Sequence, residues 1–123
     1  MVEEAMGALG PDFRFETLGK DTSLTWRVHR GPLEIRATLR TLDDGNYLRV
    51  VAYLAEVPAG ADAALFRRLL ELNGREVTGA AFAVIDGHIA LCLERTTVDL
   101  DRSEIVDAFR RIADYAERYR AVG

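Results

Sequence analysis

The sequence has little of the side-chain chemistry on which most catalytic and metal sites depend. Its 123 residues include one cysteine, Cys92, and only two histidines. A lone cysteine excludes an intrachain disulfide, and secreted domains more often carry an even number. No apolar run approaches the ~20 residues of a membrane-spanning helix. Glu3 and Glu4 stand where a signal peptide would have lysines. We therefore expect a cytoplasmic protein that does not reside in a membrane.

The net charge and the length further restrict the class of protein. The net charge of −4 and the isoelectric point of about 5.2 count against a dedicated nucleic-acid-binding protein, which is usually basic. A local basic patch is not excluded by this balance. With 49% hydrophobic and 29% charged residues, the composition is that of a globular protein. The length predicts a single domain over residues 1–123.

The clearest local signal is a β-hairpin centred on Asp86-Gly87, within the run AAFAVIDGHIALCLE. Asp-Gly between alternating apolar residues favours a two-residue type I′ turn, in which both central residues have a positive φ. This turn would place Ile85 opposite His88. One face then carries Phe82, Val84, Ile89, Leu91 and Leu93, and the other carries Ala81, Ala83, Ile85, His88, Ala90 and Cys92.

Three strands are predicted before the hairpin, because apolar and polar residues alternate in three successive runs. The apolar positions begin at Leu24 in the first run and at Leu33 in the second. The third run, YLRVVAYLAEV, is apolar on both sides, as expected of a strand that is covered on both faces. Phe13, Phe15 and Thr17 also alternate, which is compatible with a short additional edge strand.

Three helices are predicted from apolar residues at helical spacing. The first is short and stops at Gly10-Pro11, and the second spans about Ala61 to Asn73. The last follows Asp101, which forms a pair resembling a capping box with Glu104. The expected buried stripe of the second helix is Leu65, Phe66, Leu69, Leu70 and Leu72, and that of the last is Ile105, Ala108, Phe109, Ile112, Ala116 and Tyr119.

The order of the elements is thus α-β-β-β-α-β-β-α. Short connections favour antiparallel neighbours. Every strand has one strongly apolar face, which helices can cover. We therefore predict an α+β fold, a two-layer sandwich with the helices on one face of the sheet and the other face partly open.

These elements also carry a family resemblance. LLELNG at a helix end, then GAAFAVIDGHIALCLE, then a capped helix that begins DLDRSEI, resembles the YbjN-like proteins, whose fold is shared with type III secretion chaperones. The resemblance implies a five-stranded antiparallel sheet in the order 1-2-3-5-4. It also implies a non-catalytic, often dimeric protein that binds other proteins or acts in regulation. The first helix here is shorter than the family pattern.

The reactive side chains do not form an evident catalytic or metal site. His88 and Cys92 share a strand face, but four residues of strand separate their Cα atoms by about 13 Å, too far to bind one metal ion together. The same separation excludes a cysteine-histidine nucleophile. We expect no cofactor, no metal and no enzymatic activity.

The candidate binding site is the outer face of the sheet, which the helices leave uncovered. Contiguous apolar surface marks interfaces, and interface cores favour tyrosine and arginine. The alternative is that these side chains merely solvate an open sheet. The expected interface residues are Tyr47, Arg49, Val51, Tyr53, Ala81, Ala83, Ala90 and Cys92.

The sequence therefore predicts a non-catalytic protein-binding module of chaperone-like or regulatory type, acting as a homodimer with protein partners that it does not identify. One alternative is a nucleic-acid-binding module that uses Arg27, Arg36, Arg40 and Arg49 on the outer face. A second is a small-ligand-binding or enzymatic domain, which would need a pocket with convergent polar groups.

Overall fold

A computed structural model of the chain describes residues 2–18 and 25–122. Leu24, predicted to open a strand, lies outside the described residues. Within them, three helices and six strands follow in the order α1 (Val2–Gly7), β1 (Phe13–Leu18), β2 (Thr25–Arg30), β3 (Leu33–Leu42), β4 (Gly45–Glu56), α2 (Ala63–Arg75), β5 (Ala81–Ile85), β6 (His88–Thr96) and α3 (Arg102–Arg118).

The strands form one antiparallel sheet in the order β1-β2-β3-β4-β6-β5. The prediction of five strands is therefore wrong, because Phe13–Leu18 pairs with β2 as a sixth strand at the edge. The order predicted for the other five is confirmed. Alternation at Phe13, Phe15 and Thr17 was a weak signal because this edge strand buries little: Phe13 is half-buried and Phe15 is 41% exposed.

The helices pack against one side of this sheet and enclose a single apolar core. α3 contacts β3, β4 and β6, α2 contacts β5, and α1 contacts α3. Alternate strand residues point into the core, among them Trp26, Val28, Ile35, Val50 and Leu91. The predicted α+β arrangement, with helices on one face, matches this architecture.

The long helix α3 crosses the middle of the sheet and has the buried stripe that its spacing predicts. Ile105, Ala108, Phe109 and Ile112 are fully buried. Asp101 is the N-cap residue and accepts a hydrogen bond from the Glu104 amide at 2.8 Å. Since a capping oxygen satisfies an otherwise unpaired amide of the first turn, Asp101 fixes where the helix begins.

The predicted stripe of α2 is only partly correct. Leu69 and Leu72 are buried, but Phe66 is 36% and Leu70 is 69% exposed. The helix begins at Ala63, after the N-cap Asp62, and continues through Gly74 to Arg75. Because α2 packs on the five-residue edge strand β5, it has too little sheet surface to cover a wide stripe. Val84, predicted on the core-facing side of β5, is 52% exposed for the same reason.

One side chain of α2 ties it to the free edge of β5. The Asn73 amide nitrogen donates to the Phe82 carbonyl at 3.2 Å, and the Asn73 oxygen accepts from the Phe82 amide at 2.6 Å. The edge peptide groups of Phe82 therefore have hydrogen-bond partners although no strand lies beside them.

The hairpin has the predicted geometry. Ile85 pairs with His88 and Phe82 with Leu91. The turn residues Asp86 and Gly87 have φ values of 50° and 75°. The register that assigns side chains to the two faces of β5 and β6 is therefore confirmed.

Replacing Phe109 with alanine tests the packing of α3. Phe109 is fully buried in the core, so Phe109→Ala should lower the free energy of unfolding by about 3–5 kcal/mol. Denaturant unfolding measures this change. Arg102→Ala, at an exposed position of the same helix, should change it by less than ~0.5 kcal/mol. An equally small effect of Phe109→Ala would contradict the packing described.

The turn can be tested at Gly87. No heavy atom outside the neighbouring residues lies within 4 Å of the position that a Cβ would occupy there, so a substitution acts through the backbone alone. Gly87→Val should cost about 1–2 kcal/mol, because a β-branched residue fits a positive φ poorly. Gly87→Asn, which tolerates this region, should cost clearly less in the same unfolding measurement. Equal stability of the two variants would argue against the turn geometry.

Candidate functional site

The predicted interface residues occupy the middle of the outer face, on three adjacent strands. Val51 pairs with Cys92, which pairs with Ala81. The neighbouring row joins Tyr53, Ala90 and Ala83 in the same way. Six of the eight predicted residues thus form two parallel rows across β4, β6 and β5. We call these six residues the outer patch.

The other two predicted residues extend the same face along β4. Arg49 lies opposite Glu94, and Tyr47 lies opposite Thr96. All eight predicted side chains therefore share one face of the sheet, as the alternation predicts. Whether that face binds a partner stays a prediction.

The outer patch is less exposed than an open sheet face would suggest. Ala90 is fully buried and Val51 is 6% exposed, although neither belongs to the core beneath the helices. The Tyr53 ring, 36% exposed, meets the His88 ring edge-to-face at a centroid distance of 5.8 Å. Since Tyr53 is also the cross-strand partner of Ala90, larger neighbours on the face cover its small central side chains.

A β-bulge next to Tyr53 ends the regular part of this face. The register between β4 and β6 shifts between Tyr53 and Ala55, which leaves Leu54 without a cross-strand partner. A bulge bends its strand and increases the local twist. Leu54 is half-buried and packs against the core, so the regular pairing of β4 with β6 is interrupted directly beyond Tyr53.

The arginines of the outer face are mostly neutralised by acidic neighbours. Arg27 forms ion pairs with Glu16 at 2.8 Å and with Glu34 at 2.9 Å. Glu34 also pairs with Arg36 at 3.3 Å. The face therefore carries far less uncompensated positive charge than its arginine content suggests.

Two more arginines of this face differ from each other. Arg40 pairs with Glu94 at 2.6 Å. Arg49 forms no ion pair with a described residue, and its buried Nε has no hydrogen-bond partner among them. Arg14, on the same face of the edge strand β1, also forms no ion pair with a described residue. Two unpaired arginines are a weak basis for nucleic-acid binding, which depends on several cations contacting the phosphate backbone.

The histidine and the cysteine of β6 occupy different parts of the strand. His88 Nδ1 lies 3.0 Å from the Asp86 carbonyl oxygen, within the hairpin turn. Cys92 is a half-buried free cysteine in the outer patch. Over residues 2–18 and 25–122, no three histidine, cysteine or acidic side chains cluster as a metal site requires. In the same ranges, no helix is long and apolar enough to cross a membrane.

A cleft that the sequence does not predict borders the outer patch at Tyr53. It has a volume of about 620 Å³. No local motif could have indicated it, because four separate parts of the chain form its walls. Its lining residues are Asp12, Arg30, Gly31, Pro32, Leu33, Glu34, Tyr53, Leu54, Ala116, Glu117 and Arg120.

The phenol of Tyr47, on the same face as the outer patch, has a shifted pKa. Its hydroxyl donates to Asp44 Oδ2 at 2.8 Å, and this hydrogen bond, with the nearby negative charge, raises the pKa of Tyr47 above its ordinary value of 10.0. A raised pKa means that folding favours the protonated phenol. The associated stability is therefore present below the ordinary pKa and is lost as the pH rises through the raised value.

Asp44→Asn should lower the pKa of Tyr47 toward its ordinary value, because the substitution removes the negative charge. Ultraviolet absorbance titration of the tyrosines measures this, with Tyr47→Phe identifying the contribution of that residue. Unchanged titration curves in Asp44→Asn would show that the Asp44 carboxylate does not hold the phenol in its protonated form.

Comparisons with known proteins agree with this architecture. One structural neighbour belongs to the heterodimeric complex ExoU-SpcU from the type III secretion system of Pseudomonas aeruginosa. It has a TM-score of 0.57 and 17% identity over 88% of this chain and 81% of the neighbour. A second belongs to the ExsC-ExsE complex, with a TM-score of 0.57 and 16% identity over 86% of this chain and 73% of the neighbour. Identities this low show a shared fold alone.

Sequence comparison gives the more specific result. No curated protein matches the chain. The family model of YbjN, described as "Putative bacterial sensory transduction regulator", matches residues 1–122. Because that match spans nearly the whole sequence, the chain belongs to the YbjN family.

Proposed function

We propose that this chain is a non-catalytic protein-binding module of chaperone-like or regulatory type, which works in the cytoplasm and associates through the outer patch. The observation that carries the proposal is the apolar outer side of β4. Val51 and Tyr53 face away from the helices. The alternate residues of the same strand, Val50 and Ala52, are buried in the core on the other side. A strand that is apolar on both sides is typical of coverage on both sides.

The shape of the outer patch supports close contact with another protein. Ala81 and Ala83 are only partly buried and have methyl side chains, so an incoming surface can approach the backbone of β5. Tyr53 stands beside them with an exposed ring and a hydroxyl that makes no hydrogen bond with a described side chain or backbone group. Large, partly polar aromatic residues beside small ones are typical of interface anchors.

Relatives support the type of function. The family is described as a regulator of sensory transduction. Both structural neighbours come from complexes of two proteins, ExoU-SpcU and ExsC-ExsE. A fold that recurs in such complexes is suited to binding a protein partner, although the neighbours' own partners are not assigned to this chain.

We further propose that a second copy of the chain covers the outer patch. A two-fold interface needs a surface that is complementary to itself. The patch is apolar at its centre, and charges of both signs flank it in the pairs Arg36–Glu34 and Arg40–Glu94. Exposed ion pairs contribute little to stability, so they can exchange partners across a two-fold axis at little cost.

Ala83→Glu tests this proposal. A buried carboxylate without a partner disfavours association, so the variant should be monomeric in light scattering, with a circular dichroism spectrum like that of the wild type. Val84→Glu is the matched control, because its side chain is 52% exposed on the opposite side of the same strand. Val84→Glu should associate as the wild type does.

A second variant of the outer patch is chosen so that it leaves the monomer folded. Val51 is only 6% exposed, so Val51→Glu would unsettle the fold itself. Tyr53→Ala removes an exposed ring instead and should weaken association while the monomer stays folded. A wild type that is monomeric at high concentration would contradict the dimer. Partner binding that is unchanged in Ala83→Glu and Tyr53→Ala would contradict the outer patch as the interface.

A further inference from the structure

The cleft beside Tyr53 lies where the two layers of the fold meet. Asp12 precedes β1, the turn between β2 and β3 contributes Gly31 and Pro32, and Ala116 and Arg120 come from the end of α3 and the residues after it. Its volume of about 620 Å³ lies within the range of known ligand pockets. The bulge of β4 lies at its wall, because Tyr53 and Leu54 both line the cleft.

The base of the cleft is apolar. Leu33 and Leu54 are half-buried, pack against the core and also line the cleft. Ala116 lies beneath with 1% exposure. An apolar base of this kind favours a large apolar side chain, because filling it removes hydrocarbon surface from water.

Most charged groups around the cleft already have partners. Arg30 donates to Asp114 at 3.0 Å and to Glu117 at 2.8 Å. Both Glu34 oxygens are engaged in the ion pairs with Arg27 and Arg36 described above. These groups hold β2, β3 and α3 together at the rim, and they leave little charge for a ligand.

Two charges at the cleft have no ion-pair partner within residues 2–18 and 25–122. These are Asp12 and Arg120, one of each sign. The cleft therefore combines an apolar base with one free anion and one free cation. A small ligand with a single charge can pair with only one of them, whereas a polypeptide segment can present both complementary charges along its length.

We propose that the cleft receives a bulky apolar side chain from an extended segment of a partner protein, with an acidic residue of that segment meeting Arg120 and a basic residue meeting Asp12. This inference rests on the proposed function and specifies the partner. Tyr53 borders both the outer patch and the cleft, so the partner segment would lie beside the second copy that covers the outer patch. The opposite charges of Asp12 and Arg120 set the orientation in which the segment binds.

Selection from a displayed random peptide library on the immobilised wild-type protein tests this inference. The enriched peptides should share a large aromatic or aliphatic residue with an acidic residue on one side and a basic residue on the other. Arg120→Glu should raise the dissociation constants of these peptides by about tenfold or more, because an attractive charge pair becomes a repulsive one. Arg68→Glu is the matched control, since Arg68 is exposed on α2 and has no ion pair with a described residue.

A charge exchange makes the test more specific. The double variant Asp12→Arg, Arg120→Glu should select peptides in which the acidic and basic positions are reversed. Circular dichroism checks that each variant is folded. A library that gives no binders, peptides without the pattern, or peptides that bind Arg120→Glu as tightly as the wild type would overturn the inference. So would a small molecule that native mass spectrometry detects on the wild type and that Tyr53→Ala releases.

Different results would contradict the outer-patch proposal and the cleft inference. If Ala83→Glu disrupts association while the cleft variants leave peptide selection unchanged, the outer patch stands and the cleft inference falls. If the selected peptides depend on Arg120 while Ala83→Glu has no effect on association, the cleft binds peptides and the outer patch is not the interface.

Discussion

The structure depends on the packing of one helix across the middle of one sheet. α3 contacts β3, β4 and β6, and its fully buried Phe109 and Ile112 fill the space between the layers. Burial of apolar surface is the main favourable term in folding, and here it is concentrated on one side of the sheet. Within the described part of the chain, no helix covers the opposite side, so its surface is shielded from water only by its own side chains or by another protein.

That asymmetry explains the two halves of the outer face. Toward β1, β2 and β3, most charged side chains of the face pair with each other, as Arg27 does with Glu16 and Glu34. Toward β4, β6 and β5, charges give way to methyl groups and the Tyr53 ring. The charged half of the face is compatible with exposure to water, whereas the apolar half is better accommodated against another protein.

Local rules were enough to predict much of this arrangement. The hairpin follows from two residues, Asp86 and Gly87, because a two-residue turn sets the register of both strands. The helix-facing stripe of α3 follows equally directly from its 3.6-residue periodicity. The grouping of Val51, Ala83 and Ala90 on one face then needed only strand alternation and the strand order.

What the sequence could not predict depends on distant parts of the chain. Phe66, Leu70 and Val84 have apolar spacing, but whether they are covered depends on how far the sheet extends beneath α2. The ion pair of Arg30 with Glu117 joins residues 87 positions apart. The cleft is lined by both of these residues and by Leu54 at the bulge, and neither the ion pair nor the bulge has a local signature in the sequence.

The hydrogen bonds between Asn73 and Phe82 have a consequence for how the protein behaves at high concentration. An edge strand with unpaired peptide groups is a template on which further strands can add, and uncharged, apolar edges are the most prone to this. β5, with the sequence AFAVI, has no charge to prevent it. At Phe82, the Asn73 amide occupies the position that a neighbouring peptide bond would take, so a further strand cannot pair at that point of the edge. An added strand would first have to displace Asn73, which makes strand addition at this hydrophobic border less favourable.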